Sequence, residues 1–211
     1  TRETHWLRDS QRTNENTFSY NWTGQQNIKR LWQATIGILG FGEIGAEVAR
    51  RLVAFAPAAI YYYKRSPLPE MVERELGLTY TNAEDLLQRS DVVISLLPYT
   101  KETDHFLNAS RLWLIKPNAI LVHAGSGSVI DEAALAEILR AKHLFGAALD
   151  TYEWEPLPPD NPLLALPAAV NLLLTPHTAA GNSIDHAQEQ RGYYENCLRV
   201  LQGLEPLQRV I

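Results

Sequence analysis

The sequence predicts a doubly wound α/β fold built on a parallel sheet. Three observations lead there. From residue 34 onward, short apolar runs alternate with amphipathic stretches, the pattern of strands linked by crossover helices. Several of the runs are apolar at consecutive positions, which marks strands buried on both faces. The first run leads directly into Gly40-Phe41-Gly42-Glu43-Ile44-Gly45, a glycine spacing that joins a strand to a helix.

Residues 1–33 are polar, dominated by Thr, Asn, Gln and Arg with isolated Trp6, Phe18, Tyr20 and Trp22, and read as an extended or partly helical arm. Strands are expected at 35–39, 59–63, 92–96, 119–122, 145–149 and 171–174, and helices over 44–55, 68–76, 83–89 and 131–141. Asp131 reads as the cap of the last of these, with Glu132 in its first turn. A proline-rich loop follows at 156–167, then a long final helix over 183–202 ahead of Gly203 and Pro206.

At 211 residues the chain has room for one large domain, or one domain and a fragment of a second. A composition of 45% hydrophobic and 20% charged residues is that of an ordinary globular protein. The lone cysteine, Cys197, has no internal partner, which fits a reducing compartment, and a cytoplasmic location is expected. No apolar run approaches the ~20 residues of a membrane span, and the first residues lack a signal-peptide layout. A net charge of −5 with scattered basic residues argues against nucleic acid. The triplets Asn21-Trp22-Thr23 and Asn108-Ala109-Ser110 match the glycosylation pattern and are read as chance. His5, His105, His143 and His186 read as surface or packing residues, and without H-x-x-x-H or C-x-x-C spacing no metal site is expected.

The glycine run is either a tight turn or a cradle for a dinucleotide diphosphate. The strand before it and the helix after it favour the cradle, where the first helical amides, around Glu43 and Ile44, face the phosphates. Gly40 then allows the turn, Gly42 admits the diphosphate, and Gly45 lets helix and strand pack closely. About 20 residues on, a carboxylate would be expected to bind the adenosine ribose. The chain instead reads Tyr63-Lys64-Arg65-Ser66. A carboxylate would repel a 2′-phosphate, whereas two cations and a hydroxyl bind one, so the sequence leans to NADP over NAD. The alternative is that Lys64 and Arg65 are solvated loop charges.

Past residue 90 the chain resembles the D-isomer-specific 2-hydroxyacid dehydrogenase family. The likeness is carried by Asp91-Val92-Val93-Ile94-Ser95-Leu96-Leu97-Pro98, by Thr100-Lys101-Glu102-Thr103, and by Lys116-Pro117-Asn118-Ala119-Ile120-Leu121-Val122. It continues through Val129-Ile130-Asp131-Glu132 and Gly146-Ala147-Ala148-Leu149-Asp150-Thr151-Tyr152-Glu153-Trp154-Glu155-Pro156 to Leu174-Thr175-Pro176-His177. It extends from about residue 31 to the end. The resemblance implies a Rossmann-type domain binding NAD(P) and serving hydride transfer between nicotinamide and a 2-oxo or 2-hydroxy acid, in a homodimer. It also implies His177 as general acid, Glu155 as its paired carboxylate, and Asp150 as the contact to the nicotinamide carboxamide. Imidazole suits proton donation because its ordinary pKa lies near neutrality. Leu97 and Pro98 would line the adenosine side of the cofactor, and Thr103, Ala124 and Gly125 would also contact the cofactor.

Two departures stand against that pattern. The family's catalytic arginine lies in Asn-x-x-Arg-Gly, but the segment here is His123-Ala124-Gly125-Ser126-Gly127. Ser126 occupies the arginine position and His123 the asparagine position. An arginine fork binds a carboxylate through two charged hydrogen bonds; serine offers one neutral hydroxyl. Family members also begin with a further α/β unit that residues 1–33 are too short and too polar to supply. The expected division is therefore an arm over 1–33, a dinucleotide-binding domain over 34–182, and a C-terminal segment over 183–211 returning to a mostly absent substrate domain. An oxidoreductase is the leading reading; a non-catalytic dinucleotide sensor or interaction module of the same fold is the rival.

Overall fold

A computed structural model describes residues 28–179 and 186–207, with residues 12 and 14 as single positions ahead of them. The expectations for most of the arm, for Asn21, for His5 and for the start of the final helix at 183–185 lie outside the described residues.

The chain forms a seven-stranded sheet in the order β3-β2-β1-β4-β5-β6-β7, with every neighbouring pair parallel. Its strands are β1 (Thr35–Leu39), β2 (Ala59–Tyr63), β3 (Leu78–Tyr80), β4 (Val92–Ser95), β5 (Ile120–His123), β6 (Gly146–Leu149) and β7 (Leu172–Leu174). The helices are α1 (Glu43–Leu52), α2 (Glu70–Leu76), α3 (Ala83–Arg89), α4 (Ala109–Leu114), α5 (Glu132–Arg140) and α6 (His186–Leu201). This is the doubly wound order, and the connection reverses direction between β1 and β4, where such sheets open a crevice for ligands.

Both faces of the sheet are covered, as the unbroken apolar runs required. On one face Ile36, Ile38, Ile60 and Tyr62 pack with Ala49 and Leu52 of α1 and Leu76 of α2. On the other, Leu39, Val93 and Leu121 meet Leu86 and Leu87 of α3, Leu112 of α4 and Leu135 and Ile138 of α5. Each isoleucine, leucine or valine among these contributes about 1.5–3 kcal/mol on burial. Gly37 in β1 serves this packing: a Cβ there would lie 2.3 Å from Ser90 Oγ and 2.4 Å from Leu86.

Local chemistry accounts for the helix ends. Asp131 caps α5 by accepting a hydrogen bond from Ala134 N at 2.9 Å. Two elements go beyond the expectations. β3 is a three-residue edge strand, too short for a period to show. α4 begins where the triplet Asn108-Ala109-Ser110 stood out, and the asparagine is a helix cap accepting from Arg111 N at 3.1 Å and Ser110 Oγ at 2.6 Å. The helix expected over 44–55 is α1 followed by a 3₁₀ turn at Val53–Phe55, ended by Ala56 in the left-handed region at φ 47°.

Candidate active site

One row of paired residues crosses the sheet at its carboxyl edge. Tyr63 pairs with Leu39, Leu39 with Ser95, Ser95 with His123, His123 with Leu149, and Leu149 with Leu174. The next residue on each strand is Lys64, Gly40, Leu96, Ala124, Asp150 and Thr175. Six separated stretches of sequence are therefore brought to one edge by register alone, and almost every site residue expected from the sequence lies on it or within a few residues.

The three glycines divide by role. Gly40 has φ 87°, and a Cβ there would meet Leu97 N at 2.6 Å, so the turn out of β1 and its crossing of the β4 end both require glycine. At Gly45 a Cβ would press on the Phe41 ring at 3.2 Å. Gly42 is different: its backbone is extended, at φ −114°, and a Cβ would meet nothing within 4 Å. The fold does not need glycine there. Gly42 also leaves the start of α1 without a side-chain cap, so the first amides of the helix, around Glu43 and Ile44, have no side-chain partner from the cap position at the positive end of the helix dipole. The residues present fit a dinucleotide diphosphate. Beyond β2, Lys64 is half-buried while Arg65 and Ser66 are exposed.

The loop after β4 forms the next wall. Leu97 is buried and Pro98 exposed, and Thr103 Oγ1 donates to Pro98 O at 2.7 Å, closing the turn. Gly125 passes so close that a Cβ would lie 2.6 Å from Leu97 O. Ser126 N donates to Leu97 O at 3.0 Å. The Ser126 hydroxyl accepts from Tyr99 N at 2.9 Å, so this side chain ties two loops together. Gly127 is locked in place, since a Cβ would stand 1.8 Å from Tyr152 O. His123 is buried, with Nδ1 3.1 Å from Ser95 Oγ and Nε2 lacking a hydrogen-bond partner among the described residues. Burial pushes its pKa down to about 4, so the ring is neutral near pH 7.

At the far end of the row, His177 Nδ1 lies 2.7 Å from Glu155 Oε2. Glu155 Oε1 in turn accepts from Tyr152 N at 3.0 Å. The His177–Glu155 hydrogen bond raises the His177 pKa, with the Glu155 charge adding to it, and holds the Glu155 carboxyl below its usual value. His177 occupies the left-handed region at φ 51°, a conformation costing about 1–3 kcal/mol for a non-glycine residue and found where surrounding contacts over-determine it.

Asp150 supplies those contacts. It is buried, and its carboxylate accepts from Thr175 Oγ1 at 2.5 Å, Thr178 N at 3.0 Å and Ala179 N at 2.9 Å. Burial pushes its pKa up, but these hydrogen bonds prevail and hold it below the usual value. Asp150 thus grips the chain on both sides of His177.

Sequence reasoning assigned no role to several residues that hold this arrangement. Tyr152 OH donates to Thr175 O at 2.8 Å, and Thr151 Oγ1 to Gly125 O at 2.7 Å. Glu132 is buried and accepts from Glu153 N at 2.9 Å and from Asn161 Nδ2, anchoring the loop that carries Glu155. Tyr152 and Thr151 lie inside the motif that ends in Glu155; Glu132, read as a first-turn acid, had no signal of burial. The arrangement brings a histidine paired with a carboxylate and the open space beside Gly42 to one edge of the sheet. Among the described residues no group of metal-ligating side chains is present, and no helix is long and apolar enough to cross a membrane.

The chain matches the family described as D-isomer specific 2-hydroxyacid dehydrogenase, NAD binding domain, over residues 1–179. The chain belongs to this family. The match begins at residue 1, ahead of residue 31 where the resemblance becomes legible in motifs. Among relatives, a glyoxylate reductase from Korarchaeum cryptofilum is 40% identical over 176 residues, covering 83% of this chain and 52% of that protein. One from Thermococcus kodakarensis is 46% identical over 147 residues, covering 70% and 42%. Among solved structures, a D-isomer specific 2-hydroxyacid dehydrogenase from Xanthobacter autotrophicus Py2 in complex with NADPH and MES superposes with TM-score 0.74 at 30% identity, covering 93% of this chain and 76% of that one. The chain spans about half the length of the first relatives it matches.

Proposed function

We propose that this chain is the cofactor-binding part of an NAD(P)-dependent reductase of 2-oxo acids to D-2-hydroxy acids, with NADP preferred. The observation that carries the reading is the His177–Glu155 pair, 2.7 Å apart, on the same sheet edge as the open space at Gly42. A bound nicotinamide supplies the hydride. His177, with Nδ1 engaged by Glu155, presents Nε2 to give the proton to the developing alkoxide. Glu155 favours the imidazolium and orients the ring. Asp150 holds the His177 loop, and in this reading its carboxylate meets the carboxamide. Lys64, Arg65 and Ser66 support NADP, as does the NADPH in the Xanthobacter relative; glyoxylate reduction by the named relatives points to a small 2-oxo acid. The reading includes the dinucleotide-binding domain at 34–182, the segment 183–211 as part of a substrate domain, and a cytoplasmic homodimer.

Ser126 favours the second reading, a non-catalytic dinucleotide sensor, because its hydroxyl is taken by Tyr99 N and no carboxylate anchor stands there. Turnover of glyoxylate, hydroxypyruvate and longer 2-oxo acids by the full-length protein, with NADPH and NADH, separates the two. The expected result is slow wild-type turnover with NADPH, raised by Ser126→Arg by at least about tenfold in kcat/KM, a modest share of the 2–5 kcal/mol of a buried charge pair. The gain should vanish in Ser126→Arg, His177→Ala. Fast wild-type turnover made slower by Ser126→Arg would mean that another cation anchors the carboxylate. No turnover in either protein would leave the sensor.

A further inference from the structure

The loop 64–69, which carries Lys64, Arg65 and Ser66, is held near both ends by tyrosine hydroxyls. Tyr62 on β2 is fully buried; its hydroxyl accepts from Leu68 N at 2.6 Å and donates to Glu73 Oε1 on α2 at 2.5 Å. Tyr80 on β3 donates from its hydroxyl to Lys64 O at 3.3 Å. The two residues are register partners, and their rings meet edge to face with centroids 5.5 Å apart. Phe41, inside the glycine turn, packs on the Tyr62 ring at 4.9 Å.

The core needs only the Tyr62 ring. A buried hydroxyl costs free energy unless it is hydrogen-bonded, and this one is bonded to the loop on one side and to α2 on the other. Burial, with the Glu73 hydrogen bond adding to it, pushes its pKa up to about 12. The hydroxyl therefore stays protonated and donating across the working pH range. The glycine turn, through Phe41, and the loop, through Leu68 and Lys64, are referred to one aromatic pair.

We propose that Tyr62 and Tyr80 are positioning residues for cofactor selectivity: they clamp the loop 64–69 so that Arg65 and Ser66 are preorganised for the adenosine 2′-phosphate. The inference rests on the NADP reading and names what holds its specificity loop. Preorganisation matters here because an exposed cation on a loose loop loses its phosphate contact to ordering entropy and salt screening. The diphosphate contacts at Gly42 and the start of α1 do not depend on this loop.

Calorimetric titration of the chain with adenosine 2′,5′-bisphosphate and with AMP tests this, since neither ligand undergoes chemistry. Wild type should bind the bisphosphate at least about tenfold more tightly, through charge-assisted contacts to the second phosphate. Tyr62→Phe and Tyr80→Phe should each weaken the bisphosphate at least about threefold and leave AMP within about twofold. Tyr80→Phe removes only a partly exposed hydroxyl, so it reports even if Tyr62→Phe unfolds, which thermal melting detects. Equal weakening of both ligands, or an unchanged ratio in both variants, overturns the clamp while the NADP reading stands. A wild type that does not discriminate removes the NADP reading first, and the clamp with it.

Discussion

His177 Nδ1 lies 2.7 Å from Glu155 Oε2, joining the end of β7 to the loop after β6. The raised histidine pKa stabilises the fold fully below the histidine's ordinary 6.5, a contribution lost as pH rises through the raised value. The lowered carboxyl stabilises above its ordinary 4.5 and loses that contribution as pH falls through the lowered value. The pair is at full strength between those ordinary values. In Glu155→Gln the His177 titration midpoint, followed by NMR, should fall from its raised position. An unchanged midpoint would show that the carboxylate does not govern the acid.

His123 works in the opposite direction. Its folded pKa of about 4 lies below the ordinary 6.5, so the unfolded chain takes up this proton first as pH falls. Stability is complete above pH 6.5 and is lost between there and about pH 4, by about 3 kcal/mol at most at 1.36 kcal/mol per pKa unit. Urea denaturation at pH 7 and pH 4.5 should show wild type losing about 2–3 kcal/mol more than His123→Asn, which does not titrate. Parallel losses in the two proteins would mean the ring is reached by solvent.

Gly42 separates a binding role from a folding one. With an extended backbone and open space beyond its Cα, Gly42→Val should leave the protein folded, at a cost of about 1 kcal/mol for a poorer residue at the start of α1. The valine would nonetheless occupy the diphosphate position and abolish NADPH binding. Calorimetry on the folded variant decides it: unchanged affinity would reduce the glycine run to a turn.

The sequence by itself determined the layered fold. Unbroken apolar runs, as at Val92-Val93-Ile94, can only be satisfied by burial on both faces, and the alternation with helices then requires parallel crossovers. The motifs that resemble the family likewise pointed to Glu155 and His177, because each lies within a continuous stretch that a local reading reaches. It passed over β3 and α4, whose lengths of three and six residues are too short for a period to emerge.

Only the tertiary structure decided what holds those residues in place. That Gly42 is free of packing while Gly40 is not depends on how the end of β4 passes the turn after β1. That Asp150 grips both flanks of His177, and that Ser126 is engaged by Tyr99, depends on loops distant in sequence meeting at one sheet edge. The burial of Glu132 and the Tyr62 hydroxyl bridge are of the same kind. Hydrogen bonds between distant residues leave no periodicity in the chain, because register across the sheet, rather than spacing along it, selects the partners.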